Sequence, residues 1–269
     1  MNKKHTITIK IKNTLPQMQT LTQKLQKEIK KLHSLQGRKK SQFYIIEGLR
    51  CCQEALVKLD KTQIVALILT KDTDNEIYNI EQKVIVPEKE FAELSQTHNS
   101  QGVILLAYKP EIKNLKLSDD FLLVLDRIQD PGNMGTILRT AIAVGLTEVA
   151  LINGTVDPFN PKAIRAGMGA QFSLNFGYFE NLKELCNHSQ IKQRQVWLTT
   201  PHEGISCYDQ NFKLNNSVLV FGEEANGIVD FSVGQKTMVP TLSNIESLNV
   251  AQAATIYLFE SLRQKLVIL

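Results

Sequence analysis

Three segments of this 269-residue chain hold residue types that could act on an anionic, nucleotide-like ligand. The first is Asp130-Pro-Gly-Asn133-Met-Gly-Thr-Ile-Leu-Arg139-Thr. An apolar run, Phe121–Asp126, leads through a glycine turn into a helical pattern with Met134, Ile137, Leu138 and Ala141 as its inward stripe. Helical geometry puts Arg139 about 150° from the centre of that stripe, so its guanidinium is not core packing. Gly132 and Asn133 fall at the helix start, where unpaired N–H groups and the positive end of the dipole attract anions. The second segment is Val218-Leu-Val-Phe-Gly222-Glu-Glu224-Ala-Asn-Gly227-Ile. It ends a buried strand in a glycine that lets a ligand approach the backbone, although a strand end plus a turn accounts for the pattern equally well. The third runs from Val239-Pro through Ser247-Leu248-Asn249-Val-Ala-Gln-Ala-Ala. A strand meets a polar loop, and a helix is expected to begin near Ser247, with Ser243 and Glu246 spaced as a capping box.

Other chemistries find less support. GxxxxGK[ST] is absent, which speaks against a P-loop. So is GxGxxG after the first strand, which speaks against a dinucleotide-dependent oxidoreductase. The five His are scattered and the four Cys (51, 52, 186, 207) form no CxxC pair, so no metal site is expected. The cysteines read as reduced thiols of a cytoplasmic protein, Cys52 as a buried one. No apolar run approaches the roughly 20 residues of a membrane span, and MNKKHTITIKIK has no apolar h-region of a signal peptide behind it.

The elements that must position these segments follow from periodicity. Residues 1–16 read as a basic arm, with Ile7, Ile9 and Ile11 able to form a short strand. Met18, Leu21, Leu25, Ile29 and Leu32 step by three and four, which predicts a helix. Strands are expected at Phe43–Ile46, Ile64–Leu69, Val84–Val86 and Val103–Tyr108, with a helix through Leu49, Cys52, Leu56 and Leu59 and a short one opened by Pro87 at its first position. This is a small α/β unit, 17–108, followed by a linker, 109–120. A second α/β series, 121–269, has strands at Phe121–Asp126, Glu148–Ile152, Val196–Thr200, Val218–Phe221 and Thr237–Val239, with helices between them. The last helix is apolar around nearly its whole circumference, so it belongs in a core or a subunit interface.

Charge is divided between these parts. Residues 1–40 carry ten Lys and one Arg against Glu28, a net +10, while the remainder carries 20 − 26 = −6. A basic leader on an acidic body points to an anionic partner. Arg38, Lys39 and Lys40, with Arg50 and Arg165 further on, are the candidate RNA-binding residues.

Taken together, the three segments closely resemble the three motifs of the SpoU family of RNA ribose 2′-O-methyltransferases, within the SPOUT superfamily. Those motifs read roughly DPGNxGxxxRTA, GxExxG and IP…SLNVxxAxxIxLxE, and the matches run in that order over about 121–262. Lys162–Ala170 (KAIRAGMGA) is similar to a further family feature. Residues of about 17–107, marked by Phe43-Tyr-Ile-Ile-Glu47-Gly48, resemble a ribosomal-protein-like substrate-binding domain. The resemblance implies an α/β-knot fold with a C-terminal trefoil knot, S-adenosylmethionine as methyl donor, no metal, and a homodimer. It implies RNA as substrate, with 23S rRNA favoured; a tRNA enzyme and a non-catalytic RNA-binding relative are the alternatives. Carried over by motif position, Asn133, Arg139, Glu224, Ser247 and Asn249 are the catalytic set. Thr199, Thr200, Gly222, Val239 and Leu248 would meet the cofactor, mostly through backbone. The chain departs from the pattern after Pro240, where many members have Met-x-Gly and this one has Thr241-Leu-Ser243.

Overall fold

The structure is a computed structural model, and it describes residues 21–73, 80–110, 115, 121–223, 227–228, 230–242 and 246–268. The basic arm and its expected strand lie outside the described residues, as does most of the 109–120 segment.

The chain begins with α1 (Gln23–Lys31), α2 (Leu35–Lys40), β1 (Phe43–Glu47), α3 (Leu49–Lys58), β2 (Ile64–Thr70), β3 (Lys83–Val86), α4 (Glu88–Leu94) and β4 (Val103–Tyr108). The Thr22 hydroxyl caps α1 by accepting the Leu25 N–H, and the predicted stripe buries Ile29 and Leu32 against the sheet. Pro87 caps α4 from outside instead of opening it, because its extended backbone (ψ 150°) is not helical. The four strands pair in the order β1-β4-β2-β3; β2 and β3 are parallel and the other pairs antiparallel.

The chain continues with β5 (Phe121–Asp126), α5 (Pro131–Ala143), β6 (Glu148–Ile152), α6 (Pro161–Gly167), β7 (Asn175–Phe179), α7 (Leu182–Asn187), β8 (Gln195–Thr199), β9 (Ile205–Ser206), β10 (Ser217–Phe221), β11 (Gln235–Met238) and α8 (Val250–Ile268). Seven parallel strands pair in the order β7-β6-β5-β10-β8-β11-β9. The runs of β5, β6, β8 and β10 are mostly apolar and buried, as expected of strands covered on both faces. Met134, Ile137, Leu138 and Ala141 of α5 are fully buried, as the stripe requires. Each of the three larger side chains contributes about 1.5–3 kcal/mol by leaving water.

Three details differ from the sequence expectation. β7 and β9 are additional strands; β7 lies at one edge, where Asn175 and Tyr178 are exposed and blur the apolar signal. No α-helix joins β8 to β10. Instead, turns bury Cys207, Phe212 and Leu214 under α8, and Gln264 fastens them by accepting the Leu214 N–H (3.0 Å) and donating to the Phe212 carbonyl (2.9 Å). Finally, α8 starts at Val250, not near Ser247. The Asn249 carboxamide oxygen accepts the N–H groups of Ala251 (2.9 Å) and Gln252 (3.3 Å), so Asn249 does the capping. Ser243, the residue expected to cap, lies outside the described residues.

The two sheets share packing. Tyr44 of β1 packs at a tilt against Phe159 with ring centroids 4.9 Å apart, and one apolar core runs from β1 and α3 to α5 and α8. Close contact of α6 with α5 needs two glycines: a Cβ on Gly135 would lie 2.3 Å from the Ala163 carbonyl oxygen and 2.6 Å from the Gly167 nitrogen.

Candidate active site

Parallel strands deliver their carboxyl ends, and the loops that follow them, to one edge of the sheet, where open α/β folds bind ligands. Here the ends of β8, β10 and β11, with the loop into α8, surround a cavity of about 420 Å³. That is within the usual size of a small-molecule site. All five positions expected to meet a cofactor line it: Thr199, Thr200, Gly222, Val239 and Leu248. Ser247 and Asn249 line it too.

Much of the wall's polar capacity is spent holding shape. Thr199 donates its hydroxyl to the Val220 carbonyl at 2.9 Å, and the Thr200 N–H donates to Thr237 O at 2.9 Å. A Cβ on Gly222 would lie 2.5 Å from the Gly227 carbonyl carbon, so only glycine lets the second motif fold back this tightly. Tyr257 of α8 forms part of the lining, and its hydroxyl donates to Thr237 Oγ1 at 3.2 Å. Burial pushes the Tyr257 pKa up, so this hydroxyl stays a neutral donor. Tyr257, His202 and Phe231 were missed from sequence. Tyr257 lies in an apolar helix and reads as core, while the other two lie in loops without a motif. Only the position of Tyr257 four residues after Ala253, on the same helix face, could have pointed to it.

The first and third motifs meet beside the cavity. Asn249 donates its amide to Asn133 Oδ1 at 3.0 Å across 116 residues of sequence. The Asn133 N–H is itself held by Asp130 Oδ1 at 2.7 Å, which caps α5. Arg139 stands exposed two turns along α5, pointing away from its buried stripe. Glu224 lies outside the described residues.

The candidate RNA-binding residues divide into two kinds. Lys39, Lys40 and Arg50 are exposed. Arg38 donates to the carbonyls of Leu32 (3.2 Å) and His33 (3.0 Å), closing the end of α1. Arg165 of α6 points at the front sheet, with Nη1 3.9 Å from Glu47 Oε2. Glu47 is buried and accepts from the hydroxyls of Ser95 (2.5 Å) and Thr97 (2.7 Å) and from the Gln96 N–H (3.1 Å). Two motifs singled out from sequence, Phe43–Gly48 and Lys162–Ala170, therefore meet across the boundary between the sheets. Among the described residues no group of His, Cys, Asp or Glu could hold a metal ion.

The family model of the SpoU rRNA methylase family matches residues 120–259. The chain belongs to the SpoU rRNA methylase family. A second model, of an MRM3-like substrate binding domain, matches residues 25–105. The chain is 33% identical over 240 residues to the 23S rRNA (guanosine(2553)-2′-O)-methyltransferase RlmP of Bacillus subtilis (strain 168), covering 87% of this chain and 94% of that one. Among solved structures it is similar to an AdoMet-bound rRNA methyltransferase from Sinorhizobium meliloti (TM-score 0.78, 26% identity, 92% of this chain and 98% of that one). A TrmH-family RNA methyltransferase from Porphyromonas gingivalis matches with TM-score 0.78 and 26% identity, over 91% of this chain and 99% of that one. The fold expected from the motifs is thus the fold of the SPOUT methyltransferases.

Proposed function

We infer that this SpoU-family protein transfers a methyl group from S-adenosylmethionine to a ribose 2′-hydroxyl of RNA, with 23S rRNA as the substrate. The observation that carries the reading is the meeting of the family's motifs at one place: the Asn133–Asn249 contact beside a cavity lined by Gly222, Ser247 and Leu248. The cavity fits the cofactor. It has adequate volume, glycine at its close approach, and strand-end backbone that can match the donor and acceptors of an adenine edge. S-adenosylmethionine supplies an activated methyl group; the chain's own residues align the acceptor.

In this reading Asn133 and Asn249 orient the ribose, and Ser247 joins them at the rim. Arg139 pins a phosphate and stabilises negative charge developing on the 2′ oxygen, since guanidinium does not give up its proton. Glu224 is assigned to the same set by its motif position alone. Lys39, Lys40 and Arg50 offer exposed charge for the RNA backbone.

Other parts of the reading have separate support. A knot is consistent with β10 entering between β5 and β8, two strands laid down before it. A homodimer is favoured by Phe259, half exposed on the apolar α8. A cytoplasmic location fits four free cysteines, three of them buried; no helix among the described residues is long and apolar enough to cross a membrane.

The test offers the protein tritiated S-adenosylmethionine with unmodified 23S rRNA or tRNA transcripts. Label is expected in 23S rRNA. Label confined to tRNA would overturn the substrate, and none in either RNA would overturn the activity.

A further inference from the structure

Arg127 lies between the end of β5 and the turn into α5, and it belongs to none of the three motifs. Its backbone is left-handed, with φ 59°, a conformation that costs energy in any residue with a Cβ. A fitted seat holds it there. The Arg127 N–H donates to Thr155 Oγ1 at 2.8 Å, and the Thr155 hydroxyl donates to the Leu125 carbonyl at 2.9 Å. Gly154 makes room for the stem, since a Cβ there would lie 3.0 Å from Arg127 Cγ.

From this seat the guanidinium reaches three acceptors. Nε and Nη2 fork the Asp126 carboxylate at 3.0 and 3.2 Å. Nη2 also donates to the Gly227 carbonyl at 3.0 Å, and Nη1 stands 3.8 Å from Glu223 Oε2. Asp126 is buried, so the pair is anchored at the end of a central strand. Glu223 and Gly227 are joined directly, the Gly227 N–H donating to the Glu223 carbonyl at 2.9 Å. Both line the cavity, as does Ile228. A peptide unit is planar, so fixing the Gly227 carbonyl also fixes the direction of the Ile228 N–H, which faces the opposite way.

We propose that Arg127 is a positioning residue for the cofactor: its fork holds Glu223 and the Gly227–Ile228 peptide in the positions that shape the cavity wall. The strain at residue 127 persists because the surrounding bonds over-determine it, as is common at functional sites. Arg is needed because only a planar fork serves a carboxylate and a carbonyl at fixed directions; a lysine ammonium is a point charge. The proposal rests on the reading that this cavity takes S-adenosylmethionine.

Two variants separate positioning from simple charge balance. R127K keeps the positive charge and the left-handed strain but loses the fork. The double variant D126N/R127G removes the strain and leaves no unpaired carboxylate at position 126. Each is checked for folding by circular dichroism and thermal melting, then titrated with S-adenosylmethionine in a calorimeter. Positioning predicts that R127K melts close to wild type while both variants bind the cofactor about five- to tenfold more weakly, a loss of roughly 1–1.4 kcal/mol. Wild-type affinity in either folded variant overturns the proposal and leaves the functional reading intact. Failure of the wild-type protein itself to bind the cofactor overturns that reading, and the proposal with it.

Discussion

In the seven-stranded sheet, the polar residues that carry the account lie beyond the carboxyl ends of β8, β10 and β11 and at the starts of α5 and α8. There Asn133 and Asn249 meet beside a cavity that Asn249 lines. In the four-stranded sheet, the most deeply placed charge is Glu47, at the end of β1, where three donors of the 95–97 turn and Arg165 of α6 surround it. The first arrangement leaves polar atoms facing a space that a ligand can fill. The second closes polar atoms on one another. The difference teaches that a motif of charged and polar residues marks a structural seam as readily as a reactive site, and that what separates the two is where the remaining valences point.

Substitutions on the two sides should therefore fail differently. Arg139→Ala carries the largest expected effect: methyl transfer falls by about a hundredfold or more, the scale of losing one charge-stabilising donor, while the Kd for S-adenosylmethionine stays within about twofold. Steady-state kinetics and calorimetry on the same preparation check it. Unchanged turnover would remove Arg139 from the catalytic set. On the other side, Glu47→Ala removes the buried acceptor shared by two half-buried hydroxyls and an N–H and should destabilise the fold by about 2 kcal/mol in urea unfolding. A stability loss below about 0.5 kcal/mol would place Glu47 among ordinary surface residues.

Asn249→Ala sits on the boundary between the two behaviours. It removes the cap of α8, worth about 1 kcal/mol, and it also releases Asn133, so both the melting temperature and turnover should drop. A drop in melting temperature alone would make Asn249 a cap and nothing more.

The smallest effect is expected from Glu260, buried on α8, where the Arg263 guanidinium holds its carboxyl below the usual carboxylate range. A depressed folded-state pKa contributes stability that is full above the unfolded value of about 4.3 and is lost as pH falls through the folded value. Melting curves below that pH should fall less steeply for Glu260→Gln than for wild type; parallel curves would show that the pair contributes nothing to the acid transition.

Much of this was legible in the sequence because backbone geometry imposes it. Parallel strands buried on both faces must read as apolar runs, and β5 and β6 lie at the expected residues. The stripe of α5 fixes which way Arg139 faces. The five positions expected to meet a cofactor line one cavity; four of them lie at strand ends, which a sheet brings together, and Leu248 comes from the loop into α8. Less legible were the features set by tertiary contact. Arg38 and Arg165 read as phosphate ligands, since neither sequence neighbourhood discloses that the Leu32 carbonyl or the Glu47 carboxylate lies within reach. The start of α8 lies later than expected because Ser243 and Glu246 have the spacing of a capping box, and only the Asn249 contacts with Ala251 and Gln252 show that Asn249 does the capping. Arg127 carried no signal, because its left-handed backbone and its three acceptors come from parts of the chain as distant as Gly227.

The most direct test of the central claim is the chemical identity of the product. RNA treated with the protein and isotope-labelled S-adenosylmethionine is digested to nucleosides and separated by liquid chromatography with mass detection. The label is expected on the ribose, as a single 2′-O-methylated nucleoside absent from the Arg139→Ala reaction. Label on a nucleobase, or an equal yield from Arg139→Ala, would contradict it.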